Sequence, residues 1–332
     1  MRRSITRRRA IGAGAALVAG AAAAQAAPAS LPAQPSLLVA GPAGSQVDHW
    51  ADVIAPPLGR ELLGSGKLSL QNVGGADGVT GINQFQARTN PDGATALLLP
   101  GTALLAWLVG DTRAQFDAGT WAPLWGGITG AIVASRAPLV PGRSVRLAVR
   151  SVAGPELEAL LALELMGIEA VPAPARPDNA LARADVDAVY LRGAALRDSQ
   201  ALLSQGWRPA FALSRARNGG FANVPLASEL FGGLPPSDTN LLPAYRAVAA
   251  ASALEVALVL PLVAPATVLA WWRRGCNSLD DTASVRDAAA AAIVHQADAG
   301  QVAAQLASVT LETSAMLSLR RWLADRYNFR PS

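Results

Sequence analysis

The sequence contains very little cysteine, histidine and lysine. Its 332 residues include one cysteine, Cys276, two histidines, and one lysine at position 67. A single cysteine excludes an internal disulfide, and we interpret Cys276 as a buried apolar residue rather than a reactive thiol. The histidines, His49 and His295, are far apart in the sequence. Since G-x-S-x-G and H-E-x-x-H motifs are also missing, the common hydrolase and metal-site patterns are absent.

Basic residues are scarce once the amino-terminal segment is set aside. The formal net charge of +4 comes from 28 basic and 24 acidic residues. Five of the arginines precede residue 10, namely Arg2, Arg3, Arg7, Arg8 and Arg9. Without them, 23 basic residues face 24 acidic ones. No basic surface for nucleic acid is therefore expected.

Residues 1–26 have the pattern of an export signal. The arginine-rich start precedes an uncharged run over residues 10–24, which ends in the small-x-small sequence Ala24-Gln25-Ala26. The run is too short and too rich in alanine for a membrane-spanning helix. Its start, TRRRAI at residues 6–11, is of the twin-arginine type, although ordinary Sec signals also contain arginine pairs. We expect a periplasmic protein whose mature chain begins near Ala27.

Three short apolar runs organise the chain. The runs at residues 37–39 and 68–70 each end in a glycine-rich turn and continue into a helical pattern, and the run at 96–99 ends in PGT. Repeated strand, turn and helix predict an α/β sheet whose functional loops follow the carboxyl ends of its strands. The backbone N–H groups at the helix N-termini in such loops suit an anion or a carboxylate.

Periodicity predicts the other elements more coarsely. Helices are expected over residues 47–63, 79–88, 281–295 and 300–326, with Pro56-Pro57 kinking or restarting the first of them. A further helix begins near residue 155 and ends at Gly167. Strands are expected over residues 124–134, 145–149, 187–191, 207–214 and 255–263. The apolar stretch at 254–272 contains a glutamate and two prolines, so no membrane span is expected there.

The order of these loops resembles the substrate-binding proteins of tripartite tricarboxylate transporters, the Bug receptors. Their first strand ends in V-P-F/Y-x-x-G-G before an aspartate, and here VAGPAGS at residues 39–45 precedes Asp48. Their N-x-x-G-A-G-G-x-x-G loop is similar to NVGGADGVTG at 72–81, and their A-x-P-D-G-Y-T-L-L to TNPDGATALL at 89–98. Their A-x-S/T…D-V-P-T…E pattern is similar to ALS at 212–214, NVP at 223–225 and Glu229.

This resemblance implies a type II periplasmic binding protein, which consists of two α/β lobes with a ligand cleft between them. Lobe one would comprise residues 30–124 plus 232–332, and lobe two residues 125–231. Such receptors hold a carboxylate of a small organic acid through backbone amides and bridging waters, and they pass the ligand to a membrane permease. The chain is thus expected to be a monomeric receptor rather than an enzyme, without metal or cofactor.

Candidate ligand-binding residues follow from the loops. They are Gly41, Gly44, Ser45 and Asp48 in the first loop, Gly75, Ala76, Asp77 and Gly78 in the second, Thr102 after the third strand, and Ser151, Gly154, Tyr190 and Arg192 in lobe two. Asp48 could instead cap the following helix. Arg192 could clamp a carboxylate in bidentate fashion or lie solvated on the surface.

Asp77 is a special case among these candidates. It stands where the Bug pattern has glycine, and a carboxylate so close to an anionic ligand would repel it by roughly 1 kcal/mol or more. A ligand with an amine, or a neutral ligand, is the corresponding hypothesis.

Three alternatives to a transport receptor are left open by the sequence. The receptor could serve a sensor instead of a permease, or its cleft could bind nothing. A secreted hydrolase would need an acid–base or metal cluster of Asp48, His49 and Asp77. Adjacent residues on one helix point in different directions, so that cluster would be poorly built.

Overall fold

The computed structural model describes residues 31–64, 67–175, 179, 181–197, 199–213, 221, 223–231 and 240–331. The export signal expected at residues 1–26 lies outside the described residues, as do the expected lobe limits at residues 30 and 232 and Ser214 of the family pattern.

The described chain alternates between strands and helices. Its strands are β1 (Ser36–Ala40), β2 (Ser69–Val73), β3 (Thr95–Leu99), β4 (Trp121–Thr129), β5 (Ala131–Ser135), β6 (Ser144–Val149), β7 (Glu169–Pro174), β8 (Ala188–Arg192), β9 (Arg208–Ala212), β10 (Leu254–Pro261) and β11 (Val294–Asp298). Its helices are α1 (Gln46–Leu63), α2 (Val79–Arg88), α3 (Gly101–Val109), α4 (Leu157–Leu165), α5 (Ser199–Ser204), α6 (Ala227–Leu230), α7 (Leu241–Ala253), α8 (Ala266–Asn277), α9 (Ala283–Ala292), α10 (Ala299–Val309) and α11 (Thr313–Tyr327). Short 3₁₀ turns cover Ala118–Thr120 and Gly193–Leu196.

The strands form two mixed sheets. The six-stranded sheet has the order β11-β4-β10-β3-β1-β2, and the five-stranded sheet has the order β7-β6-β8-β5-β9. β1 pairs in parallel with β2 and β3, and β6 pairs in parallel with β7 and β8. The remaining pairings, which involve β4, β5 and β9 to β11, are antiparallel. The predicted α/β class is confirmed.

Parallel pairing brings the predicted loops to one edge of the first sheet. Ala40 at the end of β1 lies opposite Val73 at the end of β2, and Val39 lies opposite Leu98 in β3. The loops that follow these strands therefore adjoin, and each leads into a helix, α1, α2 or α3. Gly81 permits α2 to pack closely there, because a Cβ atom at this position would lie 2.7 Å from the Ala40 Cα and from the Val73 carbonyl oxygen.

The predicted strand over 124–134 is two strands in different sheets. β4 ends at Thr129 in the first sheet, and β5 begins at Ala131 in the second. Both halves are apolar and buried, so the pattern contains no sign of the change at Gly130. The chain passes between the sheets at this glycine.

Two of the predicted helices also differ in the structure. The helix expected over 281–295 ends at Ala292, where Ile293 adopts a left-handed conformation with φ 54°, and β11 follows. His295 therefore lies on a strand that pairs with β4. The segment expected as one helix over 300–326 is two helices, α10 and α11, with a bend of 68° between them. An alanine-rich pattern specified helix but not its interruptions.

The prolines of α1 neither end nor restart that helix. α1 runs from Gln46 to Leu63 through Pro56 and Pro57, although each proline removes one backbone hydrogen bond. The apolar face that includes Trp50, Ile54 and Leu58 is fully buried. We infer that burial of this face outweighs the lost hydrogen bonds.

Both faces of the first sheet are covered. Leu37 and Val39 of β1 belong to one hydrophobic cluster, and Leu38 and Ala40 belong to another, as the two-residue side-chain period of a strand requires. The second cluster also contains Ala188 of β8 and buried residues of α4 and α7. α7 packs against α4, so one core is shared by elements of both sheets.

Two of the three tryptophans near the C-terminus are buried, and the third, Trp322, is half-buried against the core. Trp271 and Trp272 lie in the core, and the Trp272 Nε1–H donates to the Gly93 carbonyl oxygen at 2.8 Å. Cys276 is buried as well, and burial raises the pKa of its thiol. In the described part of the chain, no single helix is long and apolar enough to cross a membrane, whereas the bent pair α10 and α11 meets that criterion jointly by length and composition.

Glu158 is an ionisable residue in the core of α4. It is 1% exposed. Burial raises the pKa of this carboxyl group to about 8, although Arg192 and Tyr190 oppose the shift. Between pH 4.5 and about pH 8, the folded protein therefore keeps a proton on Glu158 that the unfolded chain has released.

We expect this group to destabilise the protein as the pH rises. Below pH 4.5 both states are protonated and no penalty exists, and the penalty grows to its full size near pH 8. Relative to Glu158→Gln, the wild type should lose about 3–5 kcal/mol of unfolding free energy between pH 4.5 and pH 8.5. Urea unfolding at both pH values measures the difference. Glu164→Gln, on the same helix, is the control, and a pH-independent difference for Glu158→Gln would contradict the expectation.

Gly101 provides a second test of the packing. A Cβ atom at Gly101 would clash with the carbonyl oxygens of Ala251 and Leu254. Gly101→Ala should lower the unfolding free energy by about 1–3 kcal/mol, because a close-packed core resists added volume. Gly75→Ala is the matched control, since the nearest atom to its Cβ would lie at an ordinary 3.6 Å. Equal denaturation midpoints for the two variants would refute this reading of the contact.

Candidate ligand-binding cleft

Two neighbouring cavities lie between elements of the two sheets. Cavity I has a volume of about 560 Å³, and cavity II has a volume of about 500 Å³. Arg150, Pro155 and Glu156, from the segment between β6 and α4, line both of them. Volumes of this size are typical of small-molecule sites, and the shared wall makes the two cavities parts of one cleft.

Cavity II lies where three helices begin. Ala76 and Asp77 precede α2, Thr102 is the second residue of α3, and Ser151 and Gly154 precede α4. All five are candidates from the sequence, and the fold brings them together from both sheets. The first N–H groups of a helix have no partner within the helix and carry partial positive charge. The cavity is therefore suited to an anionic group.

Cavity I contains the other two candidates that line the cleft. Tyr190 and Arg192 reach it from β8, opposite Gln46 at the start of α1 and Glu255 of β10. The remaining candidates line neither cavity: Gly41, Gly44, Ser45, Asp48, Gly75 and Gly78. A direct role in ligand binding stays a prediction for all thirteen residues.

The polar residues of the first loop bind one another. Ser45 is the N-cap of α1, and its Oγ accepts from the Asp48 N–H at 3.3 Å. The Asp48 carboxylate accepts from the Gly44 N–H at 2.6 Å and from the Asn72 side-chain amide at 2.7 Å. Asp48 thus joins the first loop to β2 and occupies the backbone amide of Gly44, one of the predicted ligand-binding residues.

Asp77 is paired with a cation. One oxygen accepts from the Val79 N–H at 3.2 Å, and the other lies 2.9 Å from Nη2 of Arg113. Arg113 also hydrogen-bonds to Asp111 and thereby lowers the pKa of that carboxyl group. The repulsion of an anionic ligand expected from Asp77 is therefore offset, since Arg113 supplies a compensating charge 36 positions along the chain.

Arg192 is neither a free carboxylate clamp nor a solvated surface arginine. Its Nη2 lies 2.9 Å from Oε2 of Glu255 and donates to the Leu254 carbonyl oxygen at 3.1 Å. Its Nε is buried without a hydrogen-bond partner in the described chain. The side chain links β8 of the second sheet to β10 of the first. Beside it, burial raises the pKa of the Tyr190 hydroxyl well above its usual value.

Sequence reasoning missed the charged residues of the shared wall. Arg150 Nε donates to Oε1 of Glu156 at 3.1 Å. The Glu156 side chain is 1% exposed. Arg150 directly follows β6, so the rule that selected the other loops could have found it. Arg113 had no such signal, because it follows no strand.

Each cavity is lined by equal numbers of cationic and anionic side chains. In cavity I these are Arg150 and Arg192 with Glu156 and Glu255; in cavity II they are Arg113, Arg150 and Arg330 with Asp77, Asp111 and Glu156. The side chains therefore place no net formal charge on the cleft. Any preference for an anion comes from backbone dipoles.

The imagined cluster of Asp48, His49 and Asp77 receives no support from these contacts, because both carboxylates are engaged in the bonds described above. Within the described ranges, no group of three or more His, Cys, Asp or Glu residues is placed to hold a metal ion.

Solved structures of periplasmic solute-binding proteins share this fold of two α/β sheets with a cleft at the loop ends of their strands. A TctC solute-binding protein from Polaromonas is 16% identical, with a TM-score of 0.66 over 89% of this chain and 100% of that one. The periplasmic binding protein BugD is 16% identical, with a TM-score of 0.52 over 89% and 97%. MatC from Rhodopseudomonas palustris, solved with malate, is 17% identical, with a TM-score of 0.54 over 88% and 99%.

These matches confirm the resemblance to tripartite tricarboxylate receptors at the level of the fold. No family model and no curated protein sequence matches the chain.

The contacts of Asp48 lead to a stability prediction. Asp48→Ala leaves the Gly44 N–H and the Asn72 amide without their acceptor, so we expect a loss of about 1–2 kcal/mol in unfolding free energy. His49→Ala, at the next position of α1, is the control. Chemical denaturation of both variants checks this, and unchanged stability of Asp48→Ala would show that its hydrogen bonds are not structural.

Proposed function

We propose that this chain is an exported solute-binding protein that captures a small organic carboxylate between its two lobes. It delivers the ligand to a membrane permease, acts as a monomer in the periplasm and performs no chemistry on what it binds.

The convergence of helix N-termini in cavity II carries the proposal. The starts of α3 and α4 and the loop before α2 face one cavity, and they come from different sheets. A carboxylate placed there meets several N–H groups and the positive ends of helix dipoles. Because both lobes contribute, a ligand in cavity II contacts both of them and favours the closed arrangement.

The comparisons support the carboxylate. MatC, which shares this fold, was solved with bound malate. Two of the matching proteins are described as a solute-binding protein and a periplasmic binding protein, which supports export and the expected signal at residues 1–26.

The assignment of the strands to two separate sheets supports the proposed division into two lobes. β1 to β3 and β10 to β11 belong to the first sheet, and β5 to β9 belong to the second. We propose lobes of residues 30–124 plus 232–332 and of residues 125–231. The sheet change at Gly130 favours placing the first crossing a few residues beyond 124.

A thermal-shift screen of the exported protein against mono-, di- and tricarboxylic acids tests the function. A ligand at about 100 times its dissociation constant should add about 2.7 kcal/mol to the unfolding free energy. Thr102→Val removes a hydroxyl group from cavity II and should weaken binding of the hit roughly 2- to 10-fold.

Thr310→Val is the matched control, because the Thr310 hydroxyl bonds to the Leu306 carbonyl at the end of α10 and lines neither cavity. A panel in which no carboxylate raises the melting temperature would overturn the proposed function.

A further inference from the structure

Glu156 has an unused acceptor in the wall between the two cavities. Its side chain is 1% exposed, and Arg150 occupies only Oε1. Oε2 is buried and has no hydrogen-bond partner in the part of the chain that the structure describes. Leaving a buried charged acceptor unpaired is more unfavourable than leaving a neutral group unpaired. Such an atom in a native protein requires a physical reason.

The position of Oε2 connects it to cavity II. A Cβ atom at Gly154 would lie 2.9 Å from this oxygen, and Gly154 lines cavity II. Because residue 154 is glycine, it places no side chain against Oε2, which is itself buried. A carboxylate oxygen accepts hydrogen bonds only, so the matching group is a donor, and a charged donor makes the stronger bond.

The charge balance of the cleft points to the same kind of ligand. Cavity II has three arginines and three carboxylates, with Asp77 paired to Arg113 and Glu156 to Arg150. A dicarboxylate would add two formal negative charges to a lining whose side-chain charges already balance. A molecule with one carboxylate and one ammonium group adds none.

On the basis of the proposed function, we propose that the ligand is an amino carboxylate. Its ammonium group donates to Oε2 of Glu156, and its carboxylate lies at the helix N-termini of cavity II. Glu156 is thus the residue that selects amino acids over acids of the same skeleton that lack the amino group. Asp77, to which an amine preference was assigned from the sequence, has Arg113 as its partner instead.

Matched pairs of ligands test this inference. The full exported protein is titrated calorimetrically with L-aspartate and succinate, L-glutamate and glutarate, and L-alanine and propionate. In each pair that binds, we expect the amino member to bind at least 10-fold more tightly. Glu156→Gln keeps the shape of the side chain and removes its charge, and it should reduce this ratio to 3-fold or less. Glu164→Gln, a carboxylate of α4 that lines neither cavity, should retain the wild-type ratio.

The outcomes separate this inference from the proposed function. Equal or tighter binding of the acids without an amino group overturns the role of Glu156 and leaves a carboxylate receptor. If neither member of any pair binds and the wider carboxylate panel is also silent, the proposed function fails as well. If Glu156→Gln does not fold, Gly154→Ala replaces it, because its Cβ would crowd Oε2 and should lower the ratio at least 3-fold. An unchanged ratio in a folded Glu156→Gln or Gly154→Ala protein would contradict the contact.

Discussion

The cleft depends on the parallel pairing of β1 with β2 and β3. Since parallel strands end at the same edge, three loops separated by long stretches of sequence adjoin there, and each begins a helix. The second sheet repeats the arrangement with β6 and β8, which Arg150 and Gly193 follow. Residues that follow strands of both sheets line the two cavities, and buried residues of α4 and α7 belong to one hydrophobic cluster. Parallel pairing thus positions backbone donors without help from side-chain charge.

The charged side chains around the cleft have mainly structural partners. Asp48 holds the first loop against β2, Arg113 holds Asp77, and Arg192 links the two sheets through Glu255. These pairs leave the side chains of the cleft neutral overall, so the proposed selectivity rests on individual atoms that lack partners. Glu156 Oε2 is such an atom at the wall shared by both cavities. For the proposed receptor, one hydrogen bond to this atom would discriminate between ligands more than the net charge of the cleft does.

Local patterns predicted the elements whose boundaries are marked by glycine or by a helix cap. The α2 helix over residues 79–88 matches its prediction, and β1 and β3 differ from theirs by one or two residues at their ends. The boundary between β4 and β5 inside residues 124–134 could not be predicted. Both strands are apolar and buried, and they differ only in the sheet to which each belongs. β11 was missed for a similar reason. Its first two residues, Val294 and His295, stand at the end of the helix predicted over 281–295, and only the pairing with β4 makes them part of a strand.

The sequence by itself determined the α/β class, the order of the loops, and seven of the residues that line the cleft. These features depend on hydrophobic period and turn chemistry, which act over a few neighbouring residues. Tertiary structure alone decided which charges are compensated. Arg113 meets Asp77 across 36 positions, and Arg192 meets the Leu254 carbonyl across 62. It also decided that Glu156 is buried with one oxygen unpaired, because burial and partner choice depend on how distant segments pack, which no local pattern encodes.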